Sequence, residues 1–180
     1  MKKILITGGP STGKSTLVSE LENNGLHCFH EISRELTQKM RKKGFDQFFL
    51  TNPIDFSKDL FKLRLKQYKL KINSCKFLVY DRGPIDVIAY LNSKGIEVPD
   101  ELLSKSKKID YDYIFILRPW KEIYVNDSER HETFDECLKI NKFIQKTYER
   151  FNFNLIETPK LSVNDRVRFI KKITGYDEKS

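Results

Sequence analysis

Residues 8–15 carry the strongest chemical signal in the sequence, because they read Gly-Gly-Pro-Ser-Thr-Gly-Lys-Ser and match G-x-x-x-x-G-K-[ST]. Glycines let the backbone of such a loop approach phosphates closely and point successive N–H groups inward. Lys14 would reach the outer phosphates, and the Ser15 hydroxyl would ligate Mg²⁺. We therefore predict a nucleoside triphosphate site, a P-loop, on Gly8, Gly9, Pro10, Ser11, Thr12, Gly13, Lys14, Ser15 and Thr16.

A second candidate group is the carboxylate that ends the apolar run Phe77–Asp81. An acid at the C-terminal end of a strand beside a P-loop holds Mg²⁺ directly or through water, so Asp81 is predicted to join Ser15 as a metal ligand. Arg82 stands where many ATPase motors have a second carboxylate, and the only Asn-Lys pair, at 141–142, does not continue into the guanine-reading motif of GTPases. The Asp-Arg pair is instead similar to an element of deoxynucleoside kinases, in which the arginine serves the phosphates or the acceptor.

Candidate acceptor-side residues follow the second apolar run, 26–30, where Glu31 and Arg34 are one helical turn apart. In one interpretation, Glu31 accepts the proton of an attacking hydroxyl and Arg34 holds an anionic group of the acceptor. In the other, Glu31 stabilises the start of a helix and Arg34 pairs with it. Tyr90, on the helix after Asp81, would line the same pocket, and we place the acceptor side at about residues 31–75.

Two arginines, Arg118 and Arg130, frame a segment of about residues 118–132 after the fourth apolar run. In small P-loop kinases the corresponding segment is a lid that closes over the triphosphate. Its arginines neutralise charge on the transferring group and its closure excludes water. The alternative is a surface loop with solvated charges.

Short apolar runs alternate with longer amphipathic stretches, which indicates one α/β domain over residues 1–180 with a parallel sheet. We predict strands at Lys3–Thr7, Leu26–His30, Phe77–Asp81, Tyr113–Leu117 and Asn154–Glu157. A helix should follow the P-loop from Lys14 to about Asn23. Three further helices should start at Asn52-Pro53, at the capping box Thr133-x-x-Glu136 and at Ser162-x-x-Asp165, the first two ending near Ser74 and Arg150.

Composition narrows the class of partner. The net charge of +8 and the pI near 9.3 favour anionic partners, but no nucleic-acid-reading motif is present, and the basic run Lys62–Lys66 fits a helix with solvated charges. The three cysteines lack the spacing of a zinc site or a disulfide framework, so we expect a reducing cytoplasm. No apolar run approaches the roughly 20 residues that span a membrane.

Together the motifs resemble the small P-loop ATPases of the NadR type, which include the ribosylnicotinamide kinase domain of bacterial bifunctional NAD-biosynthesis regulators. The similarity runs from Lys3 to about Ile173. It rests on the P-loop with the Ile-Thr before it, Glu31-x-x-Arg34-Glu35, Asp81-Arg82-Gly83, and Pro119-Trp120 through Tyr124-x-x-Asp127-x-x-Arg130. The last segment is the discriminating one, since a P-loop alone is generic.

The resemblance implies a three-layer, kinase-like P-loop NTPase fold: a five-stranded parallel sheet in the order 2-3-1-4-5, helices on both faces and a short arginine-bearing lid. It also implies ATP and Mg²⁺ as ligands. The regulators carry an adenylyltransferase domain ahead of the kinase, whereas this sequence begins at the P-loop strand, so the acceptor stays open. The residues expected to act in catalysis are Lys14, Glu31, Asp81, Arg82, Arg118 and Arg130.

Two functions follow from these residues. The first is a kinase that transfers the terminal phosphate of Mg·ATP to a small, nucleoside-like molecule. The second is a nucleotide-dependent switch with slow hydrolysis, acting through a macromolecular or lipid partner. Neither the choice between ATP and GTP nor the oligomeric state has a readable signal in the sequence.

Overall fold

The computed structural model of the 180-residue chain describes residues 1–124 and 133–176. One parallel sheet has the strand order β2-β3-β1-β4-β5. Its strands are β1 (Lys2–Gly8), β2 (His27–Phe29), β3 (Phe77–Asp81), β4 (Tyr113–Leu117) and β5 (Ile156–Thr158). The strand order and the identity of all five strands confirm the prediction, although β5 begins two residues later and ends one residue later than expected.

Helices cover both faces of the sheet. Within the described residues they are α1 (Lys14–Asn23), α2 (Ser33–Lys42), α3 (Phe48–Thr51), α4 (Pro53–Lys69), α5 (Pro84–Ser93), α6 (Asp100–Ser106), α7 (Phe134–Arg150) and α8 (Val163–Thr174). A short 3-10 turn spans Lys121–Ile123. The resulting three layers match the kinase-like P-loop architecture that the sequence predicts.

Alternation along β1 explains why helices are needed on both sides. Ile4 and Ile6 are fully buried in a cluster with residues of α1 and α8, whereas Leu5 is buried in a cluster with residues of α5 and α7. A parallel strand with both faces apolar is stable only between two helical layers. A third cluster joins α2, α4, α5 and α6 beside the sheet and supports the acceptor-side region.

The helix starts predicted from local signals are present. Thr133 and Glu136 form the reciprocal capping box at α7, with the Thr133 N–H donating to Glu136 Oε2 at 2.8 Å. Ser162 accepts from the backbone N–H of Asp165 at the start of α8. α4 begins at Pro53 but ends at Lys69, five residues before the predicted end, because Leu70 is extended and the chain then turns towards β3.

Among residues 1–124 and 133–176, no helix combines the length and the apolar character that crossing a bilayer requires. Cys28 and Cys137 are buried, Cys75 is half-buried, and none of the three forms a disulfide bond among the described residues. Cys28 lies on β2 and packs in the core cluster beneath α1.

Candidate functional site

The P-loop joins the end of β1 to the start of α1 at the C-terminal edge of the sheet. Gly8 has φ 145°, and a Cβ there would lie 2.4 Å from the carbonyl oxygen of Leu117 on β4, so no side chain fits. Gly13, with φ 79°, is the residue before α1 and turns the chain into it. The first N–H groups of α1, which have no intrahelical partners, therefore point into the loop, as anion binding requires.

Lys14 folds over this loop. Its ammonium donates to the carbonyl oxygen of Gly9 at 2.5 Å and to Thr12 Oγ1 at 3.1 Å. Burial, assisted by the nearby positive charge of Arg82 and opposed by Asp81, lowers the pKa of Lys14 to about 7. A nearby anion would stabilise the charged form of this buried lysine, and phosphate oxygens would provide that anion.

Asp81 ends β3, the strand next to β1, and its carboxylate lies beside the P-loop. Ser15 Oγ donates to Asp81 Oδ2 at 3.2 Å, while the buried Oδ1 of Asp81 has no hydrogen-bond partner. Burial raises the pKa of Asp81. A carboxylate oxygen without a partner next to a serine hydroxyl fits a hard divalent cation such as Mg²⁺.

Glu31, just after β2, lies at the centre of an ion cluster. Its Oε2 is 2.7 Å from Arg64 Nη2 and 2.9 Å from Arg82 Nε. Its Oε1 accepts from the backbone N–H groups of Ile32 and Ser33, each at 2.9 Å. Burial alone would raise the pKa of Glu31, but Arg64 and Arg82 outweigh it and lower the pKa to about 2. Glu31 is therefore ionised at every physiological pH.

The position of Arg64 corrects one sequence expectation. The charges of the run Lys62–Lys66 were expected in solvent, yet Arg64 is 5% exposed and bonds both Glu31 and the carbonyl oxygen of Gly83. Lys62, two residues earlier, follows the expectation, with a side chain that is 67% exposed. The missed signal is the helical spacing that puts Arg64 on the same face as the buried Leu60 and Phe61.

Arg82 and Asp86 connect this cluster to the sheet. Arg82 has φ 67° and donates through Nη1 to the carbonyl oxygen of Gly8 at 3.0 Å. Asp86, in the first turn of α5, accepts from the N–H of Gly83 and, at 2.6 Å, from the hydroxyl of Tyr148 on α7. Gly83 is required here, because a Cβ would lie 2.6 Å from the hydroxyl of Tyr111. The turn after β3 is thus fixed by contacts to the P-loop through Arg82, within itself through Asp86 and Gly83, and to α7 through Tyr148.

A cavity of about 550 Å³ joins these groups into one site. One part is formed by residues 10–16 together with Asp81 and Arg82. The other extends past Glu31 to side chains of α2, α4, α5 and α7: Arg34, Thr37, Gln38, Arg41, Phe56, Leu60, Val87, Tyr90, Ile140 and Ile144. The structure therefore brings Glu31, Arg34 and Tyr90 to the cavity that contains the P-loop.

The two lid arginines are placed differently. Arg118 donates through Nε to Glu157 Oε2 at 3.1 Å and through Nη1 to Gln145 Oε1 at 2.7 Å, on the side of β5 and α7. It does not line the cavity. Arg130 lies outside the described residues. From the described part of the lid segment, Ile123 reaches the cavity instead.

A further arginine at the cavity, Arg166, was not singled out from the sequence. It lies on α8, is 5% exposed, and places Nη1 3.3 Å from where a Cβ of Gly13 would be. Burial lowers its pKa. Its i,i+4 spacing from the buried Ile170 puts it on the inward face of α8, which is the signal that would have identified it.

Comparison with known proteins agrees with this architecture. No curated protein matches the sequence. Among solved structures, a deoxyadenosine kinase from M. mycoides, with dCMP and dCDP bound, superposes with a TM-score of 0.71 at 17% identity, covering 97% of this chain and 100% of that one. A NadR protein in complex with NR gives 0.74 at 17% identity, covering 98% of this chain and 52% of that one.

Thymidylate kinase from Candida albicans gives a TM-score of 0.66 at 20% identity, with 97% and 91% of the two chains covered. At these identities the likeness shows the fold, a kinase-like P-loop NTPase fold. The AAA domain family matches residues 3–166, which include the P-loop and, except for Lys2 at the start of β1, all five strands. Because this match spans most of the sequence, the chain belongs to the AAA domain family.

Proposed function

We propose that this protein is a kinase that transfers the terminal phosphate of Mg·ATP to a hydroxyl of a small, nucleoside-like acceptor. The observation that carries the proposal is the single cavity that joins the P-loop to Glu31, Arg34 and Tyr90. A site that only hydrolysed nucleotide would need no such second compartment. The structural neighbours that share the fold include a deoxyadenosine kinase and a thymidylate kinase, which is consistent with a small-molecule acceptor.

On the donor side, the P-loop backbone would hold the phosphates and Lys14 would neutralise the outer two. Ser15 and Asp81 would hold Mg²⁺, since their oxygens are adjacent and Asp81 Oδ1 has no protein partner. Mg²⁺ held there would offset negative charge on the phosphates. GTP would fit the same backbone cradle, because phosphate contacts carry no information about the base.

On the acceptor side, the ion pairs of Glu31 with Arg64 and Arg82 indicate whether it acts as a general base or only orients the acceptor hydroxyl. General base catalysis is most efficient when the base has a pKa near the working pH, and Glu31 has a pKa of about 2. We therefore propose that the ionised Glu31 accepts a hydrogen bond from the acceptor hydroxyl and orients it. Arg34 would hold a polar or anionic group of the acceptor, while Phe56, Val87 and neighbouring apolar side chains would pack against its ring.

Phosphoryl transfer through a loose transition state depends mostly on positioning and on stabilising charge. Arg82 is suited to this, because it is anchored to Gly8 of the P-loop and to Glu31 at the same time. Arg118 and Arg130 would add charge when the lid of about residues 118–132 closes. For Arg118 this requires release from Glu157 and Gln145. Residues 1–180 would act as one domain, with the acceptor region at about 31–75.

The test is nucleoside diphosphate release from Mg·ATP and Mg·GTP, measured with and without pools of nucleosides, ribosylnicotinamide and phosphorylated sugars. We expect one pool to raise turnover well above the rate without acceptor, and Lys14→Ala to remove that increase. Splitting the active pool would identify the acceptor. If the nucleotide binds but no pool raises the slow basal rate, the kinase proposal is wrong and a nucleotide-dependent switch becomes the better description.

A further inference from the structure

Arg166 differs from the other cations that line the cavity in its electrostatic surroundings. Arg64 and Arg82 both pair with Glu31, and Lys14 donates to a P-loop carbonyl. Within residues 1–124 and 133–176, no carboxylate lies within ion-pair distance of Arg166, and its buried Nε has no hydrogen-bond partner. An arginine that is only 5% exposed and has no counter-charge is costly for the folded protein, and a bound anion would offset that cost.

The position of the guanidinium indicates which anion it would meet. Arg166 is in the first turn of α8, and its Nη1 and Nη2 lie 3.3 and 3.7 Å from where a Cβ of Gly13 would be. Gly13 is followed by Lys14, the first residue of α1 and part of the predicted phosphate cradle. Arg166 also lines the cavity beside Gly13 and Ile123. Its guanidinium therefore lies beside the P-loop, in the same cavity.

We propose that Arg166 binds the phosphate chain of the donor nucleotide. This inference rests on the proposed function, since it assumes that the P-loop holds a nucleoside triphosphate. A guanidinium presents several N–H donors in a fixed plane and bonds phosphate oxygens in pairs. The contact would place the cation on the donor phosphates from α8, an element separate from the lid, so a cation is in position before any lid closure.

The lack of a protein partner gives the proposal a distinctive signature. A structural arginine that bonds its surroundings stabilises the free protein, so its removal lowers the melting temperature. Removal of an unpaired buried cation should leave the melting temperature of the nucleotide-free protein unchanged or raise it. In Arg166→Met, ligand affinity should therefore fall without a fall in the stability of the free protein.

The experiment measures binding of Mg·ATP and of inorganic tripolyphosphate by calorimetry for wild type, Arg166→Met, Arg166→Lys and Arg168→Gln. Arg168 is the matched control, because it lies on the same helix but is 76% exposed and pairs with Asp165. We expect Arg166→Met to weaken the binding of both ligands roughly 10- to 100-fold. The melting temperature of the nucleotide-free variant should not fall below that of wild type. Arg166→Lys should lose less, and Arg168→Gln should match wild type.

Other outcomes overturn the inference in recognisable ways. If wild type binds Mg·ATP and Arg166→Met binds it within twofold of wild type, Arg166 does not contact the nucleotide. If Arg166→Met binds Mg·ATP more weakly than wild type but binds tripolyphosphate equally well, the contact is to the base or sugar and the phosphate assignment is wrong. If Arg166→Met and Arg166→Lys both melt earlier than wild type, the residue is structural. A wild-type protein that binds neither ligand removes the proposed function as well.

Discussion

The Nη2 atom of Arg64 lies 2.8 Å from Oε1 and 2.7 Å from Oε2 of Glu31, so a single guanidinium nitrogen contacts both oxygens of the carboxylate. This contact ties the middle of α4 to the rim just after β2, 33 positions earlier in the chain. Arg82 approaches the same carboxylate from the turn after β3. The acceptor side of the cavity is therefore organised around one negative charge held by two positive ones.

Replacement of Arg64 by Met should destabilise the protein by about 2 kcal/mol, measured by urea unfolding at pH 7. Loss of one partner from a buried ion pair costs about 3–5 kcal/mol, and Arg82 would retain part of the interaction with Glu31. Transfer activity should fall as well, because Glu31 loses its fixed position. Lys62→Met, at a 67% exposed site on the same helix, is the control. Equal unfolding midpoints for the two variants would show that the pair does not stabilise the fold.

Replacement of Glu31 by Gln should reduce kcat at least about 100-fold while the Kd for Mg·ATP changes less than about threefold. The reason is that Glu31 faces the acceptor side, whereas the P-loop contacts that hold the donor are left intact. Glu35→Gln, at an exposed position of α2, should behave as wild type. Full turnover in Glu31→Gln would exclude the orienting role, and a large loss of ATP affinity would move Glu31 to the donor side.

The low pKa of Glu31 also predicts how stability depends on pH. Its folded-state pKa of about 2 is below the ordinary value of 4.5, so the folded protein holds this proton less tightly than the unfolded chain. The resulting stabilisation, on the order of 3 kcal/mol, is fully present above about pH 4.5 and is lost as pH falls towards 2. The difference in unfolding free energy between wild type and Glu31→Gln should be measured from pH 7 to pH 2. We expect this difference to shrink over that window. A constant difference would contradict the pKa.

Much of this site is predictable because the signals are local. The P-loop pattern of residues 8–15 needs only its own spacing, and Asp81 is marked by its place at the end of an apolar strand. Arg64 was missed because it stands among lysines that are exposed, and only packing of α4 against the turn after β3 buries it. Arg166 was missed because its role depends on how α8 docks beside Gly13. Contacts between residues distant in sequence carry no local pattern, so one arginine was missed on each side of the cavity.

Two tyrosines beside the turn after β3 provide a matched pair for the final prediction. The hydroxyl of Tyr148 donates to Asp86 Oδ2 at 2.6 Å, whereas the buried hydroxyl of Tyr111 has no hydrogen-bond partner. Both lie close to Gly83, since a Cβ there would be 3.2 Å from the Tyr148 hydroxyl and 2.6 Å from that of Tyr111. The two sites thus share their surroundings and differ in the bond.

Tyr148→Phe should therefore lower the free energy of unfolding by about 1.5–3 kcal/mol, the range for a hydrogen bond to a charged group. Tyr111→Phe should be neutral or slightly stabilising, because it removes a buried hydroxyl that has no partner. Urea unfolding of both variants measures the difference. If both substitutions cost the same, shape rather than the Asp86 bond determines stability here. If Tyr148→Phe alone is destabilising and also slows transfer, the hydrogen bond to Asp86 both stabilises the fold and helps to position Arg82, whose Nη1 lies 3.5 Å from Asp86 Oδ1.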